Sequence, residues 1–187
     1  MRKLIVFNNV TLDGFFTGLH GDFSWAHGGM DDPDFHAFAA KNASGGGLLL
    51  FGRVTYEFMA SYWTTPAAQQ NDPKVAEGMN RRQKVVFSRT LTHASWSNTQ
   101  IVGSHMVTAV RKLKQEEGPG MAILGSGSIV AQLAPENLID EYQFVVNPVV
   151  LGQGRSQFEG LKQRLNLKLI ESRTFRNGRV YLSYQPA

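Results

Sequence analysis

Leu48-Leu49-Leu50-Phe51-Gly52-Arg53-Val54-Thr55-Tyr56-Glu57 joins an apolar run directly to a segment of helical spacing. A buried strand that passes straight into a helix start leaves backbone N–H groups unpaired at the positive end of the helix dipole. Both features favour a bound phosphate. Gly52 lets the backbone approach a ligand closely, Arg53 adds a fork of donors, and Thr55 can cap the helix or offer its hydroxyl. Taken alone, positions 52–57 fit an anionic ligand. They fit equally an ordinary tight strand-to-helix connection that carries a surface arginine.

Outward from this turn, runs rich in β-branched and aromatic residues lie at 4–10, 47–51, 84–87, 121–124, 141–146, 167–172 and 180–184. Segments of helical spacing lie between the first five, at 33–41, 54–62, 73–81, 105–116 and 128–133. Strands alternating with helices imply an α/β protein whose central sheet is mainly parallel and covered on both faces, a three-layer α/β/α arrangement. From about position 141 strands follow one another with only turns between them. Arg176-Asn177-Gly178-Arg179 marks a tight hairpin, so the C-terminal strands should be antiparallel and the sheet mixed. The stretches 17–31 and 62–73 read as active-site loops or lids.

At 187 residues the chain fits one domain, 1–187, with a core large enough to need neither disulfide nor metal. No apolar run approaches the roughly 20 residues of a membrane span. Met1-Arg2-Lys3 precedes too short an apolar run for a signal peptide and reads as the start of the first strand. There is no cysteine, hence no thiolate metal site and no catalytic thiol, which fits a reducing cytoplasm. Redox chemistry would need a borrowed cofactor. The formal charge of +4 is scattered, and Arg111-Lys112-Leu113-Lys114 is followed by Glu116-Glu117, so a solvated helix face is expected there, with no nucleic-acid or membrane partner. The five histidines show no ligand spacing on one element, so no metal is expected.

Two further turns repeat the chemistry of the first. Ser88-Arg89-Thr90 follows the strand at 84–87 and sets two hydroxyls around an arginine, a group suited to a monoester phosphate; a polar loop start is the plainer alternative. Gly125-Ser126-Gly127-Ser128-Ile129 follows the strand at 121–124 and opens a helix toward a pyrophosphate; a glycine turn chosen for packing fits as well. Val130 stands where the third glycine of the common dinucleotide fingerprint would be, which disfavours a standard Rossmann site.

In order and spacing, these three turns resemble the NADPH-binding series of the dihydrofolate reductase superfamily. Thr11-Leu12-Asp13-Gly14-Phe15-Phe16 and Asn147-Pro148-Val149-Val150-Leu151-Gly152-Gln153-Gly154-Arg155-Ser156-Gln157-Phe158 further resemble the reductase domain of bacterial riboflavin biosynthesis, the RibD C-terminal type. The resemblance covers essentially the whole chain and implies a dihydrofolate reductase-like fold. It assigns Gly52, Arg53 and Thr55 to the adenine-side phosphates, Ser88, Arg89 and Thr90 to the 2′-phosphate, and Gly125, Ser126, Gly127, Ser128 and Ile129 to the pyrophosphate and nicotinamide ribose of NADPH.

On the substrate side the resemblance points to Asn9, Gly14, Trp25, Phe38, Gly152 and Gly154, with Asp13 and Asp34 as candidate catalytic carboxylates. Asp34 shares a helix face with Phe38 four residues on; Asp31, Asp32 and Asp34 also suit a helix N-terminus as caps and dipole partners. The implied activity is NADPH-dependent hydride transfer to a ribosylamino-pyrimidine or pteridine-like small molecule. Dihydrofolate reduction and NADPH binding without turnover are the alternatives. The zinc deaminase half of the riboflavin enzymes needs cysteines that this chain lacks. An apolar edge or face among the C-terminal strands suggests a homodimer.

Overall fold

The computed structural model describes residues 1–27, 30–44 and 47–187, so positions 28 and 29 of the expected loop at 17–31 lie outside the described residues. In chain order the elements are β1 (Leu4–Thr11), β2 (Phe15–Thr17), two 3-10 turns (Leu19–Gly21 and Ser24–Ala26), α1 (Pro33–Ser44), β3 (Leu48–Gly52), α2 (Arg53–Trp63), α3 (Pro66–Asn71) and α4 (Pro73–Arg81). They continue with β4 (Lys84–Phe87), β5 (Thr99–Val102), α5 (Met106–Gln115), β6 (Met121–Leu124), α6 (Gly127–Leu133), β7 (Glu141–Asn147), β8 (Arg155–Ser156), β9 (Leu167–Thr174) and β10 (Val180–Pro186).

Eight strands form one sheet in the order β5-β4-β3-β6-β1-β7-β10-β9. The pairings from β5 to β7 are parallel, and β10 runs antiparallel to both β7 and β9. β3 lies inside the parallel part, which is why Leu48 to Phe51 are all buried and read as an unbroken apolar run. Successive residues of that run feed opposite layers. Leu50 joins Ile123, Val110 of α5 and Ile129 of α6, whereas Leu49 and Phe51 join Tyr56 of α2, Met79 of α4 and Trp96. A third cluster, Val145, Phe175 and Tyr181 with Phe35 and Phe38, seats α1 on the antiparallel end of the sheet. Because β6 inserts between β3 and β1, the chain reverses its direction of travel across the sheet there. Such a reversal leaves a crevice at the carboxyl ends of the strands.

Four elements depart from the expectations. The stretch 62–73 contains α3: Thr65 caps it by accepting from the Ala68 N–H at 3.3 Å, and Pro66 sits at its first position. β5 is an edge strand with no fully buried residue, so it lacks the apolar signal of its neighbours. β2 and β8 are three and two residues long and pair with each other outside the main sheet.

Beside the edge strand β5, Lys84 is buried in β4, and its Nζ donates to the carbonyls of Asn80, Arg82 and Ser97 while lying 4.4 Å from the Trp96 ring centroid. The ammonium thus closes the C-terminus of α4. Burial pulls its pKa down to about 8. No described helix is long and apolar enough to cross a membrane.

Candidate functional site

Two of the three strand-end turns are stitched together. The Gly52 N–H donates to Ser126 Oγ at 2.9 Å, and the Ser126 N–H donates to Thr55 Oγ1 at 3.1 Å. Ser126 reaches these partners in the left-handed region, at φ +55°. Beneath it the Gly125 N–H donates to Asn8 Oδ1, while Asn8 Nδ2 donates to the Gly125 carbonyl at 3.2 Å and to Gln157 Oε1 at 2.6 Å. Gly127 packs under the loop that carries Gln157: a Cβ there would lie 3.0 Å from the Gln157 carbonyl. Among the described residues no side chain caps the start of α2 or of α6, so both starts remain open to an anion.

Within this clasp the assigned residues divide by role. Thr55 and Ser126 spend their hydroxyls holding the turns, whereas Ser128 is exposed at the α6 start. Ile129 packs its side chain in the core, and its N–H donates to the Ser126 carbonyl. Arg53 is half-exposed and forms an i,i+4 pair with Glu57 at 2.9 Å, so its guanidinium is shared with its own helix. In the third turn Ser88 Oγ accepts from the N–H groups of Thr90 and Leu91. That turn holds up Arg89 and Thr90, both exposed, and Arg89 has no ion-pair partner among the described residues.

The two carboxylates expected to be catalytic are placed otherwise. Asp13 accepts from the Thr11 hydroxyl at 2.6 Å and from the N–H groups of Leu151 and Gly152, which staples the tip carrying Gly14 to the loop that follows β7. The Thr11 bond above all lowers its pKa from the ordinary carboxylate value, and these contacts give Asp13 an anchoring role. Asp34 points outward with its side chain 79% exposed, 3.8 Å from Arg173 of β9. The buried carboxylate is Asp32. It accepts from Asp34 N–H and Phe35 N–H, capping α1, and from Asn177 N–H of the β9–β10 hairpin. Burial alone would raise its pKa, but these N–H groups and that of Arg176 outweigh burial and keep it low. Phe38 packs in the aromatic cluster of Phe7, Phe35, Phe175 and Tyr181. Trp25 lies in the second 3-10 turn, edge-on to Phe23 and bonded to the Asp22 carbonyl.

Asn9 remains at the end of β1, where its Oδ1 accepts from Asn147 Nδ2 at 3.2 Å. Gly152 donates to Asp13. Gly154 brings its backbone so close to β2 that a Cβ would sit 2.3 Å from the Thr17 carbonyl. A hollow of about 470 Å³ against α4, lined by Gln69, Pro73, Glu77, Asn80 and Arg81, shares no residue with this network.

The sequence model of the RibD C-terminal domain matches residues 2–181. The chain belongs to that family. Two uncharacterized proteins of Bacillus subtilis (strain 168) are similar: YyaP is 30% identical over 183 residues, 98% of this chain and 94% of its own, and YwjB is 27% identical over 180 residues, 93% and 92%. Among solved structures, a putative riboflavin biosynthesis protein from Shewanella sp. PV-4 superposes with a TM-score of 0.75 at 22% identity, covering 99% of both chains. The dihydrofolate reductase of Enterococcus faecalis, complexed with NADP(H), gives 0.63 at 15% identity, covering 98% of this chain and 96% of its own. The diaminohydroxyphosphoribosylaminopyrimidine deaminase/5-amino-6-(5-phosphoribosylamino)uracil reductase of Thermotoga maritima gives 0.68 at 13% identity; this chain is covered fully and spans 57% of that one. The fold is that of dihydrofolate reductase.

Four site residues of this RibD C-terminal domain escaped the sequence reading: Asn8, Asn147, Gln157 and Arg179, all buried. Arg179 donates from Nε to Asn147 Oδ1 at 2.7 Å and from its terminal nitrogen to the Ala26 carbonyl, and lies 4.6 Å from the Phe35 ring centroid. It thereby links the loop before α1 to Asn147 and, through it, to Asn9. The available signal was a polar residue at a position the strand pattern buries, as at Asn8 in β1.

Proposed function

We propose that this chain is an NADPH-dependent reductase that transfers a hydride to a ribosylamino-pyrimidine or pteridine-like acceptor, as in riboflavin biosynthesis. The observation that carries the reading is the Gly52–Thr55–Ser126 clasp, which joins two uncapped helix starts into one cradle. Arg89, just past the end of β4 and so on the strand next to β3, offers a guanidinium free of ion pairs among the described residues for a 2′-phosphate. Membership of the RibD C-terminal family and the reductase named in the Thermotoga neighbour support the same substrate class.

The bound dinucleotide supplies the hydride. The chain's own residues hold and orient it: the α2 and α6 starts and Ser128 at the phosphates, and Ser88, Arg89 and Thr90 at the adenosine end. Asn9, fixed by Asn147, and the tip pinned by Asp13 border the acceptor side and restrict water. The outward placement of Asp34 and the anchoring role of Asp13 leave neither carboxylate free to protonate a pterin, which favours the ribosylamino-pyrimidine over dihydrofolate.

Fluorescence titration with NADPH and with NADH, followed by addition of each acceptor, tests the reading. NADPH should bind more tightly and be consumed by the ribosylamino-pyrimidine; failure of both dinucleotides to bind would reject it. Arg89→Ala should weaken NADPH by roughly tenfold or more and spare NADH, because a bond to a charged group contributes about 1.5–3 kcal/mol. Equal losses for the two cofactors would reject the 2′-phosphate assignment.

A homodimer belongs to the same proposal. β9 leaves one edge unpaired, and its Leu169 and Ile170 are about half-exposed. Light scattering should give twice the chain mass of 20.7 kDa, and a monomer would sink the idea.

A further inference from the structure

We propose that the Gln157 carboxamide is a ligand-binding group of this site, donating from Nε2 to an acceptor atom on the nicotinamide-ribose half of the dinucleotide. The assignment rests on the NADPH reading above, and it follows from a chain of forced hydrogen-bond choices. The Gly125 N–H can only donate, so the Asn8 atom facing it is the oxygen. Asn8 therefore turns its Nδ2 toward the Gly125 carbonyl and toward Gln157, and Gln157 must answer with Oε1. That leaves Gln157 Nε2 with its two protons. It is buried, in a side chain only 2% exposed, and finds no acceptor among the described residues.

Buried amide donors are nearly always paired, so an orphan of this kind marks a site completed by something else. Its surroundings say what. Gln157 is joined through Asn8 to the Gly125 turn, and its own backbone carbonyl lies over Gly127 at the open start of α6. Among the described residues two other buried side-chain atoms are orphaned, Gln143 Oε1 and Asn177 Nδ2, but neither bonds to this turn.

The sheet order sets which end of the dinucleotide Gln157 meets. Arg89 stands at the end of β4, and the strands that follow are β3, β6 and β1. Asn8 of β1 therefore lies three strand spacings from β4, about 14 Å at the usual separation of neighbouring strands. A group held by Asn8 is too far along the crevice to share the adenosine 2′-phosphate with Arg89, and it falls beside the other ribose and the nicotinamide carboxamide.

Two variants test this by calorimetric titration with NADP⁺ and with 2′,5′-ADP, which carries the adenosine half alone. Gln157→Met removes the donor without adding charge. It should weaken NADP⁺ by roughly tenfold at every pH from 6 to 9 and leave 2′,5′-ADP unchanged. Gln157→Glu keeps an acceptor for Asn8, so its ligand-free unfolding temperature should stay near that of the wild type. When protonated, the new carboxyl again offers one O–H donor, so its NADP⁺ affinity relative to wild type should recover as pH falls and drop as the group ionises. Wild-type NADP⁺ affinity in the Met variant, or equal losses for NADP⁺ and 2′,5′-ADP, would overturn the assignment while leaving the NADPH reading in place. A wild-type protein that bound neither ligand would overturn both.

Discussion

The Gly125→Ala substitution is expected to cost about 3 kcal/mol of stability and to weaken dinucleotide binding by roughly tenfold or more. Gly125 has a φ of +58°, a left-handed conformation that costs an L-residue roughly 1 kcal/mol. The larger part is steric. A Cβ at 125 would stand 2.7 Å from Thr55 Cγ2 and 3.0 Å from Thr55 Oγ1. Thr55 can relieve the clash only by turning away, which removes the acceptor of the Ser126 N–H. A buried donor left unpaired costs about 1–3 kcal/mol, and the same movement parts the two turns that should cradle the phosphates. Urea unfolding and NADP⁺ titration measure the two effects. Thr55→Ser removes the nearer clashing atom and keeps the hydroxyl, so combining it with Gly125→Ala should restore part of both losses. Strict additivity of the two changes would show that contact with Thr55 is not the cause.

Much of this arrangement was legible in the sequence for a physical reason. Strands inside a parallel sheet are buried on both faces, so 48–51, 84–87 and 121–124 appear as continuous apolar runs whose ends can be located closely. The turns that follow carry glycine, serine, threonine and arginine because the backbone must bend sharply there beside open helix starts. The edge strand β5 has only one covered side to satisfy and gives no such signal. α3 announces itself through Thr65 and Pro66, but six residues are too few to show a helical period.

The site was less legible than the fold because its decisive contacts are long-range. Asn8 and Gln157 are 149 positions apart, and local pattern cannot pair them. Asp32 and Asp34 differ only in which side of the first helical turn faces the β9–β10 hairpin, and the burial of Phe35 and Phe38 against Phe175 settles that rotation. It puts Asp32 inward and Asp34 outward. Asp13 resembles a catalytic acid in sequence; two N–H groups from positions 151 and 152 make it an anchor.

Asn8 separates holding the fold from holding the ligand. Asn8→Leu, of similar size, should destabilise the protein by about 3–5 kcal/mol, because it orphans the Gly125 N–H, the Gly125 carbonyl and Gln157 Oε1 at once and each buried polar group left unpaired costs about 1–3 kcal/mol. Asn8→Asp should behave differently. The introduced carboxylate still accepts from the Gly125 N–H, and Gln157 can turn its amide over so that Nε2 donates to it. Two of the broken contacts are thereby replaced, and the unfolding midpoint should lie well above that of the Leu variant. Dinucleotide binding should nevertheless fall by roughly tenfold or more, since the Gln157 donor is then consumed and a negative charge stands beside the Gly125 turn. If Asn8→Asp bound NADP⁺ as the wild type does, the turn at Gly125 would have to be a packing feature, and the phosphates would have to be sought at the α2 start and Arg89 alone.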